Sequence, residues 1–301
     1  MKKNHPVAPT LASYAAVAAH RPVSSAPAPC VSIVTVVRNG AATVGRTIES
    51  VQAQGGPTIE HVVVDGGSTD GTLALIERRL RAQDFWLSEA DRGIADAFNK
   101  GVALTRGTYV QFLNADDWLS EGQLARAVAT LESSGADFVF GDLLFYRDGR
   151  PAFAYRGDPQ YANRLGTHLP PVNHPTLLAR RSLFERVGLF CVEHRYSMEY
   201  DWLQRVQRAG GRGVHDPEII GHMTHEGVSN LAFRRTVREV RDIAIAYGAP
   251  AWRTRLRAEL NIAKTAVSQS VRARSPRLYD AVRRRINRAY VPLATPEGTA
   301  R

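Results

Sequence analysis

The chain has 301 residues, 44% of them apolar and 23% charged, enough to bury one substantial core and carry an extension. Two cysteines, Cys30 and Cys191, exclude a disulfide scaffold and fit a reducing compartment such as the cytoplasm. No clustered Cys/His pattern suggests structural zinc, and no apolar run of about 18 residues offers a membrane span. The net charge of +10 is uneven: Leu231 to Arg301 carries 16 Lys/Arg against 5 Asp/Glu, or +11, which leaves about −1 for the first 230 residues. A near-neutral body with a cationic appendage is not the profile of a nucleic-acid binder.

Residues 1–29 read as a disordered leader. Lys2 and Lys3 precede an Ala-rich stretch, but Ser13 and Tyr14 break it and a Pro/Ala-rich segment follows it, so it fits a secretion signal poorly. Val31 to Val37 is a β-branched run that predicts a buried strand, and Val44, Ile48 and Val51 then recur at helical spacing. Glu60 to Val64 predicts a second strand, followed by the turn-rich loop Asp65 to Gly71 and a helix opened by Leu73, Ile76 and Leu80. A short extended piece at Asp84 to Ser88, a helix over Ile94 to Leu104 and a strand over Thr108 to Leu113 come next. Leu124 to Leu131 predicts a helix and Asp137 to Phe140 a strand, with a hairpin to follow around Asp148-Gly149. Helices begin again at Arg181 and at Glu199. From Leu231 helices dominate, with one apolar stripe at Leu256, Leu260, Ala263, Val267 and Val271 and another at Leu278, Val282, Ile286 and Tyr290.

Alternating strands and helices predict a mostly parallel α/β sheet covered on both faces, with functional loops at the carboxyl ends of its strands. Three acid-bearing loops fall there. Asn114-Ala115-Asp116-Asp117 follows an apolar strand, so its acids suit a hard divalent cation such as Mg²⁺ or Mn²⁺; capping of the next helix is an equal alternative. Asp65 heads a glycine-rich loop able to approach a nucleotide closely, with Asp70 better read as a helix cap. Asp91 and Arg92 precede a helix bearing Asp96, Asn99 and Lys100, and Arg92 with the helix amino terminus favours a phosphate. Glu199 and Asp201 open a late helix, where a carboxylate can serve as general base for a hydroxyl. His174, His222 and His225 are the remaining polar loop residues of interest, a structural role being the commoner one for an isolated histidine.

In their order, the segments VSIVTVVRN, VVVDGGSTDGT, SEADRGIADAFNKG, GTYVQFLNADD, NHPTLLARRSLFERVGLF and MEYDWLQR resemble family 2 glycosyltransferases, most nearly the bacterial enzymes that assemble surface polysaccharides. The resemblance spans roughly residues 31–230. It implies a GT-A fold over 30–230 with a basic helical extension over 231–301, a nucleotide-diphosphate-sugar donor (uridine by default) and inversion at the anomeric carbon. It also implies that Thr35, Val36, Arg38 and Asp65 line the nucleoside pocket, and that Asp91, Arg92, Asp96, Asn99 and Lys100 lie near the ribose and diphosphate. Asn114, Ala115 and Asp116 match the family's Asp-X-Asp, with Asn114 in place of the first acid. Asp116 then leads the divalent-metal ligands, Asp117 helps, and His225 or His222 approaches from a closing segment. Glu199 takes the base position with Asp201 as the alternative, and His174 borders the acceptor, a glycan or polyprenol-linked hydroxyl. The basic tail fits an anionic membrane surface on the cytoplasmic side, with Arg283, Arg284, Arg285 and Arg288 toward headgroups. The competing class is a catalytically silent nucleotide-sugar-binding protein, suggested by Asn114 and the unusual base. A nucleotidyltransferase is the third class, but the sequence shows no glycine-rich, Lys/Arg-bearing loop near the first strand, Arg38-Asn39-Gly40 being too sparse.

Overall fold

The computed structural model describes residues 6–22, 27–147, 149–166, 169–170, 172–224, 233–275 and 290–292. A 3₁₀ turn at Leu11–Tyr14 runs into α1 (Ala15–Ala18). Then come β1 (Val31–Val37), α2 (Val44–Gln52), β2 (Ile59–Asp65), α3 (Thr72–Arg79), β3 (Phe85–Ser88), α4 (Ile94–Leu104) and β4 (Tyr109–Asn114). The two-residue β5 (Trp118–Leu119), α5 (Gln123–Ser134), β6 (Phe138–Arg147), β7 (Arg150–Tyr155) and α6 (Tyr161–Arg164) follow. A 3₁₀ turn at His174–Thr176 leads into β8 (Leu178–Arg180), α7 (Arg181–Val187), α8 (Met198–Arg208) and β9 (Gly213–Thr224). The last described elements are α9 (Phe233–Ala246), α10 (Ala251–Arg274) and β10 (Tyr290–Pro292).

One sheet runs in the order β10-β7-β6-β8-β4-β1-β2-β3, with β9 against β6 and β5. The half built from β3, β2, β1 and β4 is parallel. Beyond β4 the pairings are mixed: β8 is antiparallel to β4 and β6, β7 is antiparallel to β6, and β9 is parallel to β6. The hairpin expected after Phe145 is β6–β7. All seven residues of β1 and of β2 are buried, as a strand covered on both faces requires. On one face α4, α7 and α8 enclose Phe98, Phe112, Phe184, Phe190 and Trp202. On the other, α5 contributes Leu124, Ala127 and Leu131, and α2 and α3 contribute Val44, Ile48 and Ile76. Helix α4 lies so close to the sheet that a β-carbon on Gly101 would overlap Val34.

The order 3-2-1-4 reverses direction at β1, so the crevice between the carboxyl ends of β1 and β4 is the topological switch point where open α/β sheets bind ligands. Arg38 and Asn114 stand at those two ends.

The leader expectation is corrected for residues 6–22. Tyr14 is buried in the main core, and its hydroxyl donates to Asp96 Oδ1 at 2.6 Å. Leu189 N–H donates to Pro9 O at 2.8 Å, while Arg21 Nη2 bonds Glu60 Oε2 at 2.6 Å. The broken Ala-rich stretch and the Pro/Ala-rich segment after it suggested disorder, but a single aromatic anchor with two polar ties offsets the ordering entropy. The stripe Leu278, Val282 and Ile286 and the cluster Arg283 to Arg288 lie outside the described residues.

Candidate active site

Loops after β1, β2 and β3 form one rim of the switch-point crevice. Among the described residues Asn39 is the non-glycine residue with positive φ, 52°, a conformation its short amide tolerates. Its Oδ1 accepts from Thr69 N–H, its own N–H donates to Ser68 Oγ, Gly40 N–H donates to Thr72 Oγ1 and Ala41 N–H to Asp70 Oδ2. Asp70 also accepts from Thr72 N–H at 3.2 Å, but the N-cap position expected of it is taken by Gly71, whose positive φ of 90° opens the helix. Gly66 sits where the rim is tightest: a β-carbon there would overlap Asp91 Oδ2 and lie 3.6 Å from Arg38 Cβ. Arg38, Asp91 and Arg92 are thereby brought to one edge, the Arg92 side chain 68% exposed.

Other residues expected to face a donor turn elsewhere. Thr35 is fully buried and pairs its hydroxyl with His61 Nε2 at 2.8 Å, and Val36 packs into the core. Asp65 is buried and closes on its own loop, accepting from Gly67 N–H, Ser68 N–H and the Ser68 and Ser88 hydroxyls. Asp96 accepts from Arg92 N–H and guanidinium, both at 3.0 Å, as well as from Tyr14. Asn99 spends its amide on the backbone of Phe190, at 2.8 and 2.9 Å. Lys100 Nζ donates to Ala90 O and pairs with Glu89, each at 2.7 Å. These side chains hold the loop that presents Asp91 and Arg92, a supporting role that spacing on a helix cannot distinguish from direct contact.

The opposite rim is the segment after β4. Ala115 packs into the core beside Val37. Asp116 is partly exposed, and its Oδ2 accepts from Thr224 Oγ1 at 3.3 Å. Arg46 Nη2 donates to Asp116 O at 3.0 Å while its guanidinium lies 3.6 Å over the Trp118 ring. Asp117, expected as a second metal carboxylate, is fully buried instead. Its Oδ2 accepts from Asn114 Nδ2 at 3.2 Å and its Oδ1 has no partner among the described residues. Burial and the neighbouring Asp116 push its carboxyl well above the usual range. His222 stacks on Trp118 and bonds Ser120 through Nε2 at 2.8 Å. His225 lies outside the described residues.

A pocket adjoins this rim, lined by Phe98, Phe112, His174, Phe190, Glu199 and Trp202 among others. His174 Nε2 is 3.3 Å from Asn114 Nδ2, and burial pushes its pKa down to about 4, so the ring is neutral. Glu199 enters from the first turn of α8, and desolvation raises its pKa to about 7. Asp201 cannot share this pocket. Two positions on a helix are about 200° apart, and Asp201 is buried on the other side, bonded to Arg205 Nε at 3.0 Å and Tyr247 hydroxyl at 2.9 Å. Sequence reading missed Arg46, Thr224 and Tyr14. Thr224 had no local signal, since its segment reads as a loop in sequence whereas it ends β9, two residues from His222 and on the same face.

Among the described residues no group of three His, Cys, Asp or Glu gathers to hold a metal. One partly exposed carboxylate at Asp116 fits a hard divalent ion whose remaining ligands are phosphate oxygens and water.

Residues 32–188 match the family model Glycosyl transferase family 2. The chain belongs to that family. A PGL/p-HBAD biosynthesis glycosyltransferase of Mycobacterium tuberculosis is 33% identical over 186 residues, 58% of this chain and 68% of that protein. The succinoglycan biosynthesis protein ExoO of Rhizobium meliloti is 35% identical over 218 residues, 65% of this chain and 61% of the relative. The mannosyltransferase PcManGT from Pyrobaculum calidifontis, solved in complex with GDP-Man and Mn²⁺, superposes with a TM-score of 0.59 at 22% identity, over 87% of this chain and 82% of that one. That likeness establishes the GT-A architecture.

Proposed function

We propose that this family 2 glycosyltransferase moves a sugar, with inversion, from a nucleoside-diphosphate donor to a hydroxyl of a glycan or polyprenol-linked acceptor in surface-polysaccharide assembly in the cytoplasm. The observation that carries the reading is that Glu199 and His174 line the same small pocket, with His174 bonded to Asn114 two residues before Asp116. Arg38, Asp91 and Arg92 sit where a nucleoside diphosphate entering the switch point would rest, with uridine the first nucleoside to try.

The acceptor hydroxyl attacks the anomeric carbon from the face opposite the leaving group. Glu199 takes its proton as the new C–O bond forms and the bond to the diphosphate breaks. A carboxyl with a pKa of about 7 is matched to that task near neutrality. Arg92, at the amino terminus of α4, offsets charge on the departing diphosphate. Asp116 is the residue that would hold Mg²⁺ or Mn²⁺, which supplies further charge neutralisation there when bound. His174, neutral, borders the acceptor.

The test is nucleoside-diphosphate release from a panel of UDP- and GDP-sugars with Mn²⁺ or Mg²⁺ and a membrane extract as acceptor source. Release lost in both Glu199→Gln and Asp116→Asn supports the reading. A donor that binds without turnover favours the silent binder, and pyrophosphate as product a nucleotidyltransferase.

A further inference from the structure

Helix α10 turns opposite sides to the protein and to solvent. Thr254 and Ala258 are buried, whereas Trp252, Leu256 and Leu260 are 66%, 55% and 52% exposed. At about 100° per residue these three and exposed Ala263 form one stripe, directed away from the Thr254–Ala258 side. Exposed Arg253, Arg257 and Lys264 border it on one flank, and Arg255 with Glu259 on the other. The Arg253 guanidinium lies 5.0 Å over the Trp252 ring. Single exposed leucines are ordinary, but a row of three large apolar side chains set between cations marks a contact surface.

We propose that this stripe lies flat on an anionic lipid bilayer. Trp252 sits at headgroup depth, Leu256 and Leu260 enter the acyl boundary, and the flanking arginines reach lipid phosphates along their own stems. Charge selects the occupant. A second copy placed stripe to stripe would bring Arg253, Arg257 and Lys264 against the same cationic flanks, with Glu259 alone to offset them, while an anionic surface satisfies every one of them. No helix among the described residues is long and apolar enough to cross a membrane, so the contact is peripheral. Docking of this stripe does not depend on the transfer chemistry.

The experiment is flotation of the full chain with vesicles of phosphatidylcholine alone or with about one third phosphatidylglycerol. The wild type is compared with Leu256→Gln/Leu260→Gln and with Arg253→Gln/Arg257→Gln, and circular dichroism and light scattering report fold and oligomeric state. Expected is binding to the anionic vesicles that weakens about tenfold or more in either double variant, with unchanged helix content and mass. A Trp252→Phe variant should lose the fluorescence blue shift that the wild type shows with anionic vesicles. Failure of the wild type to float, equal binding to neutral vesicles, or double variants that float like wild type would overturn the proposal. So would a wild-type dimer that the leucine variant converts to monomer, since a second copy would then cover the stripe.

Discussion

The side-chain amide of Asn114 stands between two groups, 3.2 Å from Asp117 Oδ2 and 3.3 Å from His174 Nε2. One amide NH2 group, with an N–H for each partner, thus links the buried acid behind β4 to the pocket that holds Glu199. Replacing it by a carboxylate removes the donor and sets a third acid beside Asp116 and Asp117. Asn114→Asp is expected to lose about 1–3 kcal/mol at pH 8, and less at pH 5, where a carboxyl can take up a proton. Urea midpoints at the two pH values measure this; equal stability at both would detach Asn114 from the pair.

Glu199→Gln separates chemistry from folding. Product release should fall by about 10²–10⁴, and in the wild type kcat/KM should climb as pH rises to about 7, the pH at which the base ionises. Stability runs the other way. Because the folded-state pKa lies above the ordinary 4.5, the native chain binds more protons than the unfolded one between those values, so ionisation costs stability as pH rises. The variant, free of that cost, should gain on wild type by up to about 3 kcal/mol between pH 4.5 and 8. A flat rate profile across that range would remove Glu199 from the reaction.

Asp201 should behave as a structural residue. Its carboxylate joins α8 to the end of α9 through Tyr247 and pairs with Arg205 on its own helix, and breaking a buried ion pair costs about 3–5 kcal/mol. Asp201→Asn is predicted to unfold at markedly lower temperature while the folded fraction retains donor turnover. Turnover lost with an unchanged melting temperature would move the base two residues along the helix.

The segment before β1 is expected to be needed for stability. Tyr14→Phe removes a buried bond to a carboxylate, worth about 1.5–3 kcal/mol, and removing residues 1–22 should lower stability further, since Tyr14 packing and the Arg21–Glu60 pair go with it. Thermal melts of the two forms decide it. A truncated chain as stable as the whole would return these residues to the status of a leader.

Strand alternation and the order of the acidic loops were legible because they are local: β-branched runs, turn residues and apolar spacing report each element without its partners. The roles of Asp96, Asn99 and Lys100 were not. Each sits on a face of α4 that spacing identifies well, but whether that face meets ligand or protein is decided by Tyr14, Phe190 and Ala90, remote in sequence. The same holds for Asp117, whose neighbour Asp116 has the same side chain and meets solvent while Asp117 meets the core. Glu199 was legible as an acid at a helix start, but its raised pKa comes from aromatic walls that no local pattern displays.

Strand β8 spans three residues, yet with the two-residue β5–β9 ladder it supplies the strand pairing between the parallel half of the sheet and the mixed half. The rim proposed for the donor belongs to the first half. His174 lies immediately before β8, and Glu199 is carried beyond it. The sheet is therefore narrowest in its hydrogen bonding where these groups meet, and one continuous core of Phe98, Phe112, Phe138 and Trp202 closes over that seam. Amide exchange should find the seam's pairings opening ahead of those of β1 and β2.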